Sequence, residues 1–533
     1  MKQYCRSQDS ATLSSSRTSS RLGLLTNLFA LVLLSWATTN VAYAQTFKVL
    51  SSLGYPWSSL VQGADGNLYG ATDDSIFEIS PAGTPTILQN VDGSPWGVIL
   101  ASDGNFYGTT YTGGPSGGGT VFRLTPTGVV TTLHNFEGPE GAQPYDGVLV
   151  QSADGDLYGT TYFGGAFGYG VAYKITLSGT YTKLHDFNGS GVNPISALIQ
   201  ATDGNFYGVT ADGFYGSIFK MTPSGTVTTL HTFDSSDGYW PYFGLVQAVS
   251  GKLYGTTTVG GANGYGTVYE ITTAGEFTVL HSFNGSDGEN PFCTLIQATN
   301  GNLYGTTSAG GPYDGGTVFE ITPAGTLTTL HNFCPQGNCS DGYYPRAGLL
   351  QATNGILYGT AFNNGDVFSL SVGLAPFVEP LPAVAPEGTP ISILGTNLTG
   401  ATSVSFNGTP ALFTVLSATQ VSTTVPAGAT TGKIEVVTPT ATLYTNVAPF
   451  RVLPEITAFS PSSGPLGTTL VIAGTGLLKT SRVTFYNNVP AASFAVNSDT
   501  QVTVTVPAGA TTGPIQVTTA GGTVTSSAIF TVN

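Results

Sequence analysis

From residue 46 to about residue 373 the chain alternates short apolar runs with glycine-rich or Asx-Gly punctuation. Thr294-Leu295-Ile296-Gln297 is one such run, and Asn300-Gly301 turns the chain after it. Leu303-Tyr304-Gly305-Thr306-Thr307 follows, then a glycine-rich stretch from Ala309 to Gly316. Thr317-Val318-Phe319-Glu320-Ile321 comes next, Pro323-Ala324-Gly325 turns again, and Leu327 to Phe333 closes the unit. Four β-rich runs separated by turn residues predict four strands. The order recurs, marked by a Leu-Tyr-Gly or Phe-Tyr-Gly string whose tyrosines are Tyr69, Tyr107, Tyr158, Tyr207, Tyr254, Tyr304 and Tyr358, in steps of 38 to 54 residues. A period of this size marks a repeat architecture. Four antiparallel strands per repeat form the blade of a β-propeller.

The seventh copy ends at Asp366-Val367-Phe368-Ser369-Leu370 without a fourth strand, while residues 46–53 carry a fourth-strand pattern with no copy of their own. Residues 46–53 are therefore expected to complete the last blade, which closes the ring and removes its exposed edges. Strand parity then sorts the connections. Short turns such as Asp103-Gly104-Asn105 fall on one face. The long loops, such as Gly113 to Gly119 and Gly260 to Gly266, share the other face with the blade-to-blade segments. Those segments set aromatic residues beside prolines and carry acids. Function concentrates on loops held by a rigid scaffold. Trp57, Trp96, Tyr145, Trp240 and Tyr344, with Asp237, Asp287 and Asp341, are the candidate ligand-binding residues.

After Gly373 the repeat gives way to a Pro/Ala-rich stretch and two similar segments, 374–453 and 454–533. Each has a glycine-threonine strand entry (Gly388-Thr389, Gly467-Thr468), a Val-x-Phe strand (Val404-Ser405-Phe406, Val483-Thr484-Phe485) and a Val-Pro-Ala-Gly-Ala-Thr-Thr-Gly string (425–432, 506–513). Short alternating strands over about eighty residues fit an immunoglobulin-like sandwich. The predicted fold is all-β: a seven-bladed β-propeller over 45–373, then two sandwich domains. The string from Pro454 to Thr469, with Phe459-Ser460-Pro461-Ser462-Ser463-Gly464-Pro465, resembles the IPT/TIG domain. The D-G-N-x-Y-G-T-T and G-T-V-F-E-I-T-P-x-G strings of the propeller resemble the GloVer tandem repeat of bacterial exported or surface proteins. That resemblance implies an exported repeat protein, and it implies no catalytic residue.

Composition adds localisation. Arg17 and Arg21 precede an apolar run from Leu22 to Trp36, and Ala42-Tyr43-Ala44 matches a small-x-small cleavage site. Residues 1–44 read as a secretory signal peptide, so a secreted, extracellular or cell-surface protein is expected. No second apolar segment follows, and no membrane insertion is expected after cleavage. The whole chain carries a formal net charge of -15, with no Lys/Arg cluster, which argues against nucleic acid as a partner. Cys334 and Cys339 flank a short loop and are expected to pair in an oxidising compartment, leaving Cys293 as a small buried thiol.

Catalytic chemistry finds little purchase. His134, His185, His231, His281 and His331 occupy one equivalent position, in Leu-His-x-Phe on the fourth strand. Symmetry-related histidines a blade apart cannot share one ion or serve as one base, so a structural hydrogen bond is expected. Asp65, Asp103, Asp154 and Asp203 open Asp-Gly turns and read as turn chemistry. No H-E-x-x-H string occurs, and neither a cofactor nor a metal is expected. The expected function is binding or adhesion, with an extracellular glycan or protein as ligand. The alternatives are a propeller hydrolase or lyase acting on extracellular polysaccharide, and a purely structural exported repeat protein.

Overall fold

The computed structural model describes residues 45–533 apart from 57, 146–148, 190–191, 212–214 and 338. The secretory-leader expectation for 1–44 lies outside these residues. Among the described residues there is no α-helix, and no helix is long and apolar enough to cross a membrane.

Seven four-stranded antiparallel sheets form the propeller. In the sixth, Ile296–Gln297, Leu303–Thr307, Thr317–Ile321 and Leu327–Asn332 run in order from the channel to the rim. In the seventh, Leu350–Gln351, Leu357–Ala361 and Asp366–Ser371 are joined by Thr46–Ser52 as the outermost strand. Thr46 faces Ser371 and Phe47 faces Leu370 in that ladder, and Ser52 Oγ donates to the Asp366 carboxylate.

Burial follows the strand position. Second strands are buried at every residue, third strands at all but one or two, and fourth strands are half exposed. The glycine of each Leu-Tyr-Gly string lies opposite the third-strand aromatic: Gly305 pairs with Phe319 and Gly255 with Tyr269. A Cβ on Gly305 would stand 2.7 Å from Phe319 Cζ and 2.7 Å from Leu295 Cδ2. The ring of the third strand thus fills the space that the glycine leaves, which fixes both residue types at once. The preceding tyrosine plugs the junction between blades and hydrogen-bonds the turn. Tyr69, Tyr107, Tyr158 and Tyr207 donate to Asp65, Asp103, Asp154 and Asp203 at 2.7–2.8 Å. The same carboxylates accept from the backbone N–H two residues on, so these acids are turn-formers.

Glutamine ends the first strand in six blades, at 62, 151, 200, 247, 297 and 351. Each amide oxygen accepts a backbone N–H of a neighbouring blade: Ser102, Ala153, Thr202, Val249, Thr299 and Thr353 donate at 2.8–3.0 Å. The second blade carries Leu100 at this position.

Two sandwich domains follow. In the first, one sheet is built on Pro390–Leu394 and Gln420–Thr424, the other on Ser403–Phe406 and Ile434–Val437, and they enclose Ile393, Phe406, Val421, Ile434 and Phe450. In the second, Thr469–Thr475 and Gln501–Thr505 face Arg482–Phe485 and Gly513–Thr519 across Ile472, Phe485, Val502, Ile515 and Phe530. The first sandwich rests on the short-turn face of the propeller. Thr419 Oγ1 donates to Ala64 O at 2.8 Å, Phe377 N to Thr353 O at 3.0 Å, and Arg451 Nη2 to Thr202 O at 3.3 Å.

Candidate functional site

The long-loop face is built from one recurring device. Ser94, Gln143, Asn193, Trp240, Asn290 and Tyr344 each precede a proline and each has a positive φ, between 53° and 59°. Their carbonyls accept from the residue that follows the second strand of the same blade: Tyr111, Tyr162, Ala211, Thr258, Ser308 and Phe362. The left-handed turn anchors the blade-to-blade segment to the second strand. Asn and Ser tolerate this geometry; for Trp240 and Tyr344 it is strained.

The residues after the prolines are Trp57, Trp96, Tyr145, Ile195, Tyr242, Phe292 and Arg346. Among the described ones, Trp96, Tyr145, Tyr242, Phe292 and Arg346 form, with Tyr111, Tyr162 and Phe362 after the second strands, an aromatic collar in two arcs, while Ile195 is buried in the blade core. In one, Trp96 lies 4.9 Å from Tyr145 and 6.3 Å from Tyr111, and Tyr145 lies 5.6 Å from Tyr162 (ring centroids). In the other, Tyr242 lies 5.7 Å from Phe292, and the Arg346 guanidinium sits over both Phe292 and Phe362, at 5.6 and 5.3 Å. Phe362 then meets Tyr55 at 5.2 Å. Burial, and secondarily the Tyr162 phenol, raise the Tyr242 pKa above its ordinary value. A cleft of about 170 Å³ opens beside Trp96, lined also by Asp73, Ser94, Pro95 and Tyr111.

The sequence candidates divide. Trp96 and Tyr145 are in contact in the first arc. Trp240 is 39% exposed and touches Tyr239 and Tyr242 at 5.4 and 6.1 Å. Tyr344 packs on Tyr343 at 4.9 Å. Trp57 lies outside the described residues. The three acids stand with the outer-strand histidines instead of the aromatic arcs. Asp237 is 2.8 Å from His231, Asp287 3.0 Å from His281 and Asp341 2.8 Å from His331. The second carboxylate oxygen of each accepts the N–H of Asp234, Asn284 or Cys334. Glu140 stands 3.3 Å from His134, but His134 Nε2 makes no hydrogen bond among the described residues.

Tyr111, Tyr162, Tyr242, Phe292, Phe362 and Arg346 are not among the sequence candidates. The signal that could have found half of them is register. Counting from the recurrent proline selects Tyr242, Phe292 and Arg346, whereas choosing by aromatic type selected Trp240 and Tyr344.

Other reactive groups are committed to structure. Gly114-Pro115-Ser116-Gly117-Gly118 has the spacing of a nucleophile elbow, but Ser116 Oγ donates to Phe136 O at 2.7 Å within a loop. Burial pushes the Cys293 thiol up to about 11, and Sγ accepts the Thr306 N–H. Cys334 and Cys339 are joined by a disulfide. Among the described residues, no three His, Cys, Asp or Glu side chains are grouped closely enough to hold an ion.

The family described as the Gloeobacter/Verrucomicrobia repeat matches residues 28–215 and 197–373, and the IPT/TIG domain matches 378–451 and 454–532. No curated protein matches the chain. Among solved structures, one similar chain is virginiamycin B lyase from Staphylococcus aureus in a catalytically inactive form. It is 16% identical with a TM-score of 0.46, over 61% of this chain and 99% of that one. Another is the extracellular domain of a hybrid two-component system from B. thetaiotaomicron. It is 13% identical with a TM-score of 0.45, over 91% of this chain and 56% of that one. Likenesses at this level concern fold alone.

Proposed function

The chain belongs to the Gloeobacter/Verrucomicrobia repeat family and carries two IPT/TIG domains, and on that premise we propose that it is an exported binding protein. Its ligand is a glycan, held on the long-loop face by the aromatic collar. The observation that carries this reading is the Trp96–Tyr145–Tyr111 cluster beside a cleft that also holds Asp73. Flat aromatic faces stack against the apolar faces of sugar rings, and a carboxylate accepts from sugar hydroxyls. Trp240, exposed on the same face, extends the surface a ligand could cover. Export is supported by the leader pattern of residues 1–44 and by the disulfide, a bond that persists in oxidising compartments. The sandwich domains act as spacers or interaction units.

The test is a glycan array read beside a turnover assay on the same polysaccharides. Binding that is lost in Trp96→Ala or Trp240→Ala, with no product formed, is the expected result. Product formation would replace this reading with that of a polysaccharide hydrolase or lyase. Silence in both assays would favour a structural repeat protein.

A further inference from the structure

The first sandwich leaves one sheet edge open. One of its sheets runs in the order Glu379–Leu381, Pro390–Leu394, Gln420–Thr424, Phe413–Val415, so Phe413–Val415 is an outermost strand. Phe413 and Val415 pack against the core, and by strand alternation Leu412, Thr414 and Leu416 face outward. Leu412 is 94% exposed and Leu416 56%. Leu416 N donates to Gln420 O at 3.0 Å, in register with the pairing of Thr414 and Ser422. Backbone groups alternate along an antiparallel ladder. Those of Thr414 therefore also point into the sheet, and the N–H and C=O of Phe413 and Val415 point to the open side.

An open edge is a template for another strand, and proteins guard it with a charge, a proline or a bulge. Three other edges of the two sandwiches carry such a guard. Pro380 lies in the opposite edge strand, and Pro410 lies in the edge strand Thr409–Ala411 of the facing sheet. In the second sandwich the equivalent strand, Ser493–Ser498, is broken by a register shift between Val496 and Ser498, and the Asn497 side-chain oxygen accepts from Thr503 Oγ1 at 2.7 Å. Phe413–Val415 is regular and has no proline. Residues 388–432 contain no Asp, Glu, Lys or Arg, in a chain of formal net charge -15.

From this unguarded edge we infer that the chain pairs with a second copy of itself, strand against strand, about a two-fold axis at Thr414. The register is self-complementary. Antiparallel pairing centred on Thr414 sets Phe413 opposite Val415 of the second copy, twice, and both pairs exchange N–H···O bonds through the groups that point outward. On the outer face it sets Leu412 against Leu416 of the second copy, also twice, so four exposed leucines cover one another. Charge favours a second copy at this place. Two chains of one negative sign repel over most of their surface, and an uncharged edge is where they can meet. The contact is small, about five residues a side against about 20–30 in a standard interface, so the dimer is weak and forms with concentration. On the glycan reading, two joined copies present two long-loop faces to one polymer and hold it more firmly than either alone. The pairing itself does not depend on that reading.

The test is sedimentation equilibrium of residues 45–533 over about a hundredfold range of concentration. A reversible monomer–dimer equilibrium is expected. Leu412→Lys/Leu416→Lys sets like charges opposite each other and should weaken it at least about tenfold, whereas Leu412→Lys/Leu416→Glu sets opposite charges in the same two places and should recover much of that loss. The substituted side chains are exposed, so the fold is kept. Thr414→Cys brings two thiols together at the axis, with Cα atoms about 4.5 Å apart, within the span of a disulfide. Mild oxidation should cross-link that variant, and should leave Ala495→Cys, on the guarded edge, monomeric. A monomer at every concentration, a dimer unaffected by the paired lysines, a Lys/Glu variant as weak as the Lys/Lys one, or cross-linking of Thr414→Cys no greater than that of Ala495→Cys would each overturn the inference.

Discussion

The imidazole of His331 lies flat on the ring of Phe47, with centroids 3.8 Å apart and planes 4° from parallel. His134 covers Tyr181 and His231 covers Phe277 in the same way, at 4.1 and 3.9 Å. In each case an outer-strand histidine meets the outer-strand aromatic of the next blade. Phe47 supplies that aromatic for the seventh blade, and it comes from the opposite end of the repeat array. In these three blades the histidine is thus a latch to the next blade, with Asp341, Glu140 or Asp237 on its other side.

The latch makes the first strand a stability element. Phe47→Ala removes a half-buried ring that also packs on Phe333 and Phe368. A loss of about 2–4 kcal/mol is expected, near the range for large-to-small changes at packed aromatics. Urea unfolding followed by near-UV circular dichroism checks it. A loss below about 0.5 kcal/mol would mean that the seam does not depend on this ring.

Close approach at the second strand gives a sharper test. Gly305→Ala sets a methyl group against Phe319, Leu295 and Cys293 Sγ. Overpacking of this kind costs about 1–3 kcal/mol. Shortening the opposing ring in Gly305→Ala/Phe319→Leu should return part of that loss, because the two residues share one space. Additive losses in the double variant would contradict the pairing.

The glutamine bridges predict a polar counterpart. Gln200→Leu leaves the Ala153 N–H without its acceptor from the neighbouring blade. An unsatisfied donor of this kind costs about 1–3 kcal/mol. Faster exchange of the Ala153 amide in deuterium-exchange mass spectrometry should accompany it. Unchanged exchange would show that the bridge does not protect the turn.

Burial, opposed only in part by Asp341, holds the His331 imidazole below the ordinary histidine value, and burial does the same for His134 and His185. The unfolded chain therefore takes up protons near pH 6.5 that the folded chain resists, so these groups lower stability as pH falls through that value. Glu387 acts in the opposite sense. Burial and its neighbour Asp499 push it up to about 7, so its contribution is present at low pH and is lost as pH rises through about 7. Urea unfolding of Glu387→Gln should therefore show lower stability at pH 5.5 than at pH 7.5. Imidazole NMR titration should place His331 below 6.5, and a value at or above 6.5 would contradict its burial.

The blade was legible in the sequence because its determinants are local. Alternation, Asx-Gly turns and the Leu-Tyr-Gly string act within a few residues of one another, and the orphan pattern at 46–53 had one vacancy to fill. The rest depends on contacts between blades and domains. Asp237, Asp287 and Asp341 look alike as turn acids and as ligand acids; their histidine partners become visible only when the outer strand and the following loop fold together. The bridges from glutamine to the preceding blade arise from residues far apart in the chain, and no local pattern encodes them.

The central claim, that the long-loop face holds the ligand, has a built-in reporter. After Trp36 the chain has three tryptophans, Trp57, Trp96 and Trp240, each beside one of the recurrent prolines. The decisive measurement is a tryptophan-emission titration of the mature protein with the strongest glycan from the array, repeated on Tyr145→Ala. The account predicts a saturable emission change in the native protein, with affinity reduced at least about tenfold in the variant, as expected for loss of a stacked aromatic anchor. A glycan that binds by calorimetry with no change in emission, and equally well to Tyr145→Ala, would contradict it.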